Sequence, residues 1–265
     1  MVTVLIQDEG HFVRVELNDP SQKNALSQEM IQELTKFFRG LNGKQHSQWR
    51  FVTLEGKGDV FCAGANLVEM KNSIDWDHEE NMRRALSLHE MFQAFYECEI
   101  PILCRAQGAV FGGALGLVGL SDYVIAEEST IFCFSEVKLG LAPAVISDFL
   151  LRKFPPGTLQ PYMISGIRFS AGEAQRMQLI HQITGAGRSS EVFKDCINHF
   201  LSLGPQSIRV TKKLIKQLSG NIDWGERRQF TTQLIAGLRV SEEGQEGVKS
   251  FLEKRKPRWV TTSGE

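Results

Sequence analysis

The sequence predicts an α/β core followed by an α-helical C-terminal part. Three observations carry this. Through the first two-thirds of the 265 residues, short β-branched or aromatic segments alternate with amphipathic stretches. Past Ser170 the apolar spacing is largely helical. The composition, 42 % hydrophobic and 23 % charged, is that of an ordinary globular chain long enough to bury a sizeable core.

Taken in order, Val2 to Ile6 and Phe12 to Leu17 flank Gly10 and read as a β-hairpin. Ser27 can cap a helix reaching Leu41, because Met30, Ile31, Leu34, Phe37, Phe38 and Leu41 recur at helical spacing. Phe51 to Leu54 is a strand with a Gly-rich turn after it. Asn66 to about Glu97 is polar and helix-like, charged through Asp75 to Glu80. Ile100 to Ala106 reads as a strand, Phe111 to Leu120 as a tight Gly/Leu/Val helix, and Tyr123 to Ala126 and Thr130 to Phe134 as strands. Helices are then expected over Ala171 to Met177, Ser189 to Leu203, Gln206 to Leu218, Trp224 to Ala236 and Ser241 to Lys254.

Thirty basic residues against 31 acidic ones leave a net charge of −1. That speaks against broad electrostatic binding to nucleic acid or to an anionic membrane. No apolar run is long enough for a transmembrane helix, and a carboxylate pair, Asp8 and Glu9, precedes any possible signal-peptide core. The five cysteines, Cys62, Cys98, Cys104, Cys133 and Cys196, show no metal or redox spacing and read as buried reduced thiols of a cytoplasmic protein.

Glycine is the one modest excess, and three Gly-bearing or carboxylate-bearing segments carry the chemistry. Phe61-Cys62-Ala63-Gly64-Ala65-Asn66-Leu67 follows a strand and precedes a helix, so open backbone N–H groups there can receive developing negative charge; the plain alternative is a tight turn. Gln107 to Leu117, containing Gly112, Gly113 and Gly116, has the same placement, with close helix packing as its alternative. The spacing is not the dinucleotide-binding GxGxxG. In Phe132 to Ala144, Glu136 is a single carboxylate among apolar and small residues; burial would raise its pKa and suit it to acid/base work. A Glu136–Lys138 surface pair or a helix cap is the alternative.

Together, in this order, the three segments resemble the crotonase (enoyl-CoA hydratase/isomerase) superfamily. Lys23-Asn24-Ala25-Leu26 is similar to an early segment of that family, and Phe251 to Pro257 to its C-terminal ending. The resemblance spans about residues 5 to 260. It implies a spiral of ββα units with a thioester site over residues 1–195, and a helical oligomerisation region over 196–265 that forms a homotrimer or a dimer of trimers. It implies a thioester carbonyl held between the Ala65 and Gly113 amides, with Lys23, Ala25, Ala63, Asn66, Leu67, Gly112, Phe251 and Lys254 on the substrate or its CoA carrier. No metal and no cofactor beyond that carrier is expected, nor a nucleic-acid or membrane partner.

Two departures stand out. Hydratases of this family carry two catalytic glutamates; Glu136 matches one, whereas Gly116 occupies the place of the other. Asn66 stands where the family usually has Asp. Within the superfamily, Phe132 to Ser147 and Val240 to Phe251 are similar to 3-methylglutaconyl-CoA hydratase-like proteins and to the dehydratases of polyketide β-branching. That similarity implies a carbon–oxygen lyase acting on 3-hydroxy-3-methylglutaryl or 3-methylglutaconyl groups, on CoA or on acyl carrier protein. The distal carboxylate of such a group calls for a cation, and Lys71, Arg83, Arg84 and His89 are the candidates on the variable helix. A decarboxylase or isomerase of the same fold, and an inactive binding protein, are the alternative functions.

Overall fold

The computed structural model describes residues 2–41 and 48–260. The chain divides into two compact units, Met1–Cys98 with Ile102–Phe193, and Glu99–Pro101 with Lys194–Glu265.

The first unit begins with the antiparallel hairpin β1 (Val4–Asp8) and β2 (Val13–Leu17), with Val4 opposite Leu17. Gly10 turns it at a φ of +76°, where a side chain would be strained. Helix α1 (Gln28–Leu41) follows, and the Ser27 hydroxyl accepts from Met30 N–H at 3.2 Å. Strands β3 (Val52–Gly56), β4 (Ile102–Ala106), β6 (Tyr123–Glu127) and β9 (Gln182–Thr184) then add in parallel to β2, in the order β1-β2-β3-β4-β6-β9. β3 is buried at every position, as expected of a strand covered on both faces.

A second sheet is built from β5 (Ala109–Phe111), β7 (Ile131–Cys133) and β8 (Phe169–Ser170). A parallel bridge between Cys62 and Val110 extends it to the segment after β3, and another between Leu26 and Ala65 extends it once more. Chain order thus repeats one pattern three times: a strand in the large sheet, an extended piece in the small sheet, then a helix. The three turns are β3, residues 61–65 and α2 (Leu67–Asn72); β4, β5 and α4 (Ala114–Leu120); and β6, β7 and α5 (Ala144–Leu150). This is the expected spiral of ββα units.

The sequence expectations need correction at two places. Phe111 is not in a helix. It pairs with Cys133 in the small sheet, and α4 starts only at Ala114, because long-range ladder bonds override the local Gly/Leu/Val pattern. The polar stretch 66–97 is not continuous either. Asn66 caps α2, Asp77 caps α3 (His78–Glu97), and a 3-10 turn, Ser73–Asp75, lies between them. α5, α6 (Pro156–Ser165) and the 3-10 turn Glu136–Leu139 had no counterpart in the sequence reading. α7 (Ala171–Arg176) starts with a reciprocal Ser170–Glu173 capping box.

The second unit begins within α8 (Ser189–Leu201) and continues through α9 (Pro205–Leu218), α10 (Trp224–Val240) and α11 (Glu242–Leu252). Glu243 accepts from the Gln206 and Ser207 N–H groups at the start of α9, at 2.7 and 2.8 Å. Glu246 holds Arg255 at 2.6 Å, and Arg255 and the main chain of Arg258 keep its carboxyl at about 2. Arg227 donates to the Leu218 carbonyl at 2.7 Å, which closes the end of α9.

Candidate active site

The three ββα turns deliver three chain segments to one place. Each is the stretch just past the C-terminal end of a small-sheet strand, where parallel strands and the helices after them leave backbone N–H groups open. The first two are locked together by Cys62 N–H donating to Ala109 O and Phe111 N–H donating to Cys62 O, both at 3.2 Å. The third joins through Gly112 N–H, which donates to Cys133 O at 2.9 Å.

Glycine is required at the contact. Gly64 has a φ of +93°, and a Cβ there would stand 2.7 Å from the Phe111 carbonyl oxygen, a backbone atom. On its other side Gly64 O accepts from Leu26 N–H at 2.7 Å, and Ala63 N–H donates to Lys23 O at 3.0 Å. Asn24 braces this edge. Fully buried and left-handed (φ 52°), it donates to Lys57 O and Val60 O at 2.9 and 2.8 Å. The Lys23-to-Leu26 segment therefore acts through its backbone and through Asn24 in shaping the site.

With these bonds made, the amides of Ala65 and Gly113 have no hydrogen-bond partner among the described residues. Both residues line a cavity of about 680 Å³, walled by Leu26, Ile31, Met70, Ala85, Leu88, Leu139, Leu141 and Ile146, among others. The walls are mainly apolar, and the polar side chains among them are those of Ser135, Glu136 and Lys138.

Glu136 is the carboxylate of this cavity. It opens the 3-10 turn Glu136–Leu139, and its Oε1 comes within 3.4 Å of where a Cβ on Gly112 would stand. Its Oε2 is buried with no hydrogen-bond partner. Burial pushes its pKa above the usual carboxylate range, partly offset by its own backbone N–H. No Glu136–Lys138 ion pair forms among the described residues; the Lys138 Nζ instead lies 3.7 Å from Cys133 Sγ. The Cys62 thiol, next to Ala63, is pushed up to about 12 by burial and stays neutral, so it is no nucleophile.

Gly116 has a packing explanation. It lies on buried α4, and a Cβ there would meet the Phe92 ring at 2.5 and 2.8 Å and Ile146 Cγ2 at 3.1 Å. The volume that a second glutamate would need is filled by Phe92, itself 0 % exposed.

Of the residues singled out from sequence, Ala63, Ala65, Leu67, Gly112, Gly113 and Glu136 line the cavity. Ala25 is buried outside the lining, and exposed Lys23 touches the site through its carbonyl. Asn66 is spent on capping α2, accepting from Val68 and Glu69 N–H at 2.9 and 3.2 Å. Phe251 and Lys254 belong to the second unit, where Phe251 is 81 % exposed.

The four cation candidates are not brought into the cavity. Arg83 pairs with Glu80 at 2.6 Å, and Arg84 pairs with Glu80 and Glu69 while lying 4.4 Å over the Trp76 ring. His89 meets Asp148 at 3.1 Å, and Lys71 is exposed. Helical phase turns Arg83 to the side of α3 opposite Ala85 and Leu88, whereas Arg84 and His89 flank those two and are held by Glu69 and Glu80 and by Asp148. Lys138, expected from sequence only as a surface partner of Glu136, and Ser135, not singled out there, do line the cavity. Their adjacency to Glu136 in sequence was the available signal.

Among the described residues no cluster of three His, Cys, Asp or Glu could hold a metal, and no helix is long and apolar enough to cross a membrane.

Known proteins resemble this chain in sequence and fold. The chain is 34 % identical to a crystal structure of an enoyl-CoA hydratase from Shewanella pealeana, which covers 97 % of this chain and 96 % of that one with a TM-score of 0.87. It is 31 % identical to the enoyl-CoA hydratase ACTT6 of Alternaria alternata over 90 % of this chain and 78 % of that protein. At 23 % identity over 97 % of both chains it is also similar to the trans-2-decenoyl-[acyl-carrier-protein] isomerase of Streptococcus mutans. The sequence profile described as enoyl-CoA hydratase/isomerase matches residues 8–262. With the ββα spiral and the paired open amides in place, the chain belongs to the enoyl-CoA hydratase/isomerase family, as an enzyme of the hydratase type.

Proposed function

We propose that this enzyme interconverts a 3-hydroxyacyl thioester and its enoyl thioester, with 3-hydroxy-3-methylglutaryl and 3-methylglutaconyl as the acyl pair, carried on CoA or on acyl carrier protein. The observation that carries the reading is that two unpartnered amides, Ala65 and Gly113, and one buried carboxylate, Glu136, line the same mainly apolar cavity. In dehydration the C2 proton passes to Glu136, and negative charge moves onto the thioester oxygen. The two amides receive that charge without reorganising, which is where fixed donors contribute most, about 3 kcal/mol of barrier for each. The C3–O bond then breaks, the carbonyl re-forms, and Glu136 returns its proton to the departing hydroxide as water. One carboxylate serves both transfers because no net proton is gained.

The acyl identity rests on the sequence similarity of Phe132 to Ser147, supported by the charge of Lys138 on the cavity lining. Lys138 takes over the role first assigned to Lys71, Arg83, Arg84 and His89 as partner of the distal carboxylate. Isomerisation or decarboxylation is the second reading, favoured by Phe92 occupying the place of a second carboxylate. Homotrimer assembly through the C-terminal helices accompanies the reading, as does use of the Phe251 and Lys254 region against the carrier.

Product mass decides. Incubating the enzyme with 3-methylglutaconyl-CoA is expected to add the mass of one water. Loss of carbon dioxide, or a product of unchanged mass, overturns the hydratase reading, and an inert acyl-CoA alongside an active acyl carrier protein substrate fixes the carrier.

A further inference from the structure

The second glutamate of the family is missing here, and its volume is occupied, yet the water that adds to C3 needs an orienting partner besides Glu136. Ser135 lines the same cavity as Glu136. It precedes the 3-10 turn Glu136–Leu139 in the capping position, but its hydroxyl makes no capping bond. At φ −85° and ψ −9° Ser135 is itself helical, so its hydroxyl is turned away from the first-turn N–H groups. Among the described residues its Oγ has no hydrogen-bond partner. Instead Oγ lies 3.5 Å from the point where a Cβ on Gly112 would stand, the same point that Glu136 Oε1 approaches to 3.4 Å. Both side chains line the cavity beside Gly113. The absent Cβ of Gly112 thus leaves a small space faced by one hydroxyl and one carboxylate oxygen.

We infer that Ser135 is a further catalytic residue, whose hydroxyl donates a hydrogen bond to the oxygen that leaves or joins C3. This rests on the hydratase reading above and deepens it. Glu136 takes the C2 proton and gives it to the departing oxygen. Ser135 keeps its own proton throughout and stabilises the charge that builds on that oxygen as the C3–O bond breaks. A hydroxyl suffices because the transfer itself belongs to Glu136.

The roles separate experimentally, since C2 proton exchange needs Glu136 and the amides, whereas C–O cleavage also needs Ser135. The test compares wild type, Ser135→Ala and Ser135→Thr for exchange of the C2 hydrogen of 3-hydroxy-3-methylglutaryl-CoA in deuterated water and for kcat of dehydration, with crotonyl-CoA hydration as a second substrate. Ser135→Ala is expected to lose about 10- to 100-fold in kcat, in line with a hydrogen bond to a developing charge, while C2 exchange stays within about twofold. Ser135→Thr, which keeps the hydroxyl, is expected to recover most of the loss. Dehydration by Ser135→Ala at the wild-type rate overturns the inference, as does an equal fall in exchange and dehydration. A wild type active on crotonyl-CoA alone removes the acyl assignment and leaves Ser135 to be judged on that substrate; a wild type inactive on both removes the hydratase reading itself.

Discussion

Replacing Gly116 by glutamate restores the carboxylate of the two-glutamate pattern, and the packing says that the restored residue will damage the protein. The first added atom already stands 2.5 and 2.8 Å from the Phe92 ring and 3.1 Å from Ile146. Phe92 is fully buried and packs near Phe149, so the ring has little room to retreat. Forcing a methyl group into such a core costs about 1–3 kcal/mol, and the gain of alanine over glycine in a helix returns about 1 kcal/mol. Gly116→Ala should therefore lose about 1 kcal/mol, a fall in Tm of about 2–4 °C at this chain length. Gly116→Glu adds an unpaired carboxyl in a buried setting, a further penalty of several kcal/mol, so its Tm should fall by more than about 10 °C. Thermal unfolding followed by circular dichroism at one protein concentration reads both. A Gly116→Glu variant that melts within about 2 °C of wild type would refute the claim that Phe92 fills this space.

Three further outcomes follow from the same geometry. Gly64→Ala should cost at least about 2 kcal/mol, since its φ of +93° and its 2.7 Å approach to the Phe111 carbonyl both exclude a side chain; an unchanged melting curve would contradict this. Burial raises the pKa of Glu136, so the folded state holds that proton more tightly than the unfolded chain. The associated stability is present below the ordinary carboxylate pKa and is lost as pH rises through the raised value. Glu136→Gln is accordingly expected to melt above wild type at neutral pH and to lose that advantage near pH 4, and a constant difference across a pH series would count against it. Asn66→Ala should lose about 1 kcal/mol through the missing α2 cap, whereas Asn66→Asp, which keeps the accepting oxygen, should melt close to wild type.

Much of the scaffold was legible because local signals and long-range packing agree there. Gly10 marks the hairpin, Ser27 caps α1, and the apolar spacing of α9 to α11 is helical in both sequence and structure. Phe111 was misassigned because its partner in the ladder, Cys133, is twenty-two residues away and leaves no trace in the local pattern. The glycines of the site were legible as open backbone, yet the reasons for two of them are tertiary. Gly64 answers to the Phe111 carbonyl, and Gly116 answers to the Phe92 ring. Arg83, Arg84 and His89 stand out in sequence as cations on the variable helix, but Arg83 falls on the side of α3 away from Ala85 and Leu88, and the carboxylates Glu80, Glu69 and Asp148 hold Arg84 and His89 outside the cavity. Lys138 reads in sequence only as a surface partner of Glu136, and Ser135 not at all, because an ordinary polar residue gains a role only from the wall it faces.

We propose that Glu136, as the one carboxylate lining the cavity with the Ala65 and Gly113 amides, carries the proton transfers. Steady-state hydration of an enoyl-CoA by wild type and Glu136→Gln tests it most directly, with melting curves to confirm folding. Glu136→Gln is expected to lower kcat/KM by about 100- to 10,000-fold, the usual loss on removing a general acid/base. A folded Glu136→Gln enzyme that hydrates the thioester at nearly the wild-type rate would contradict it.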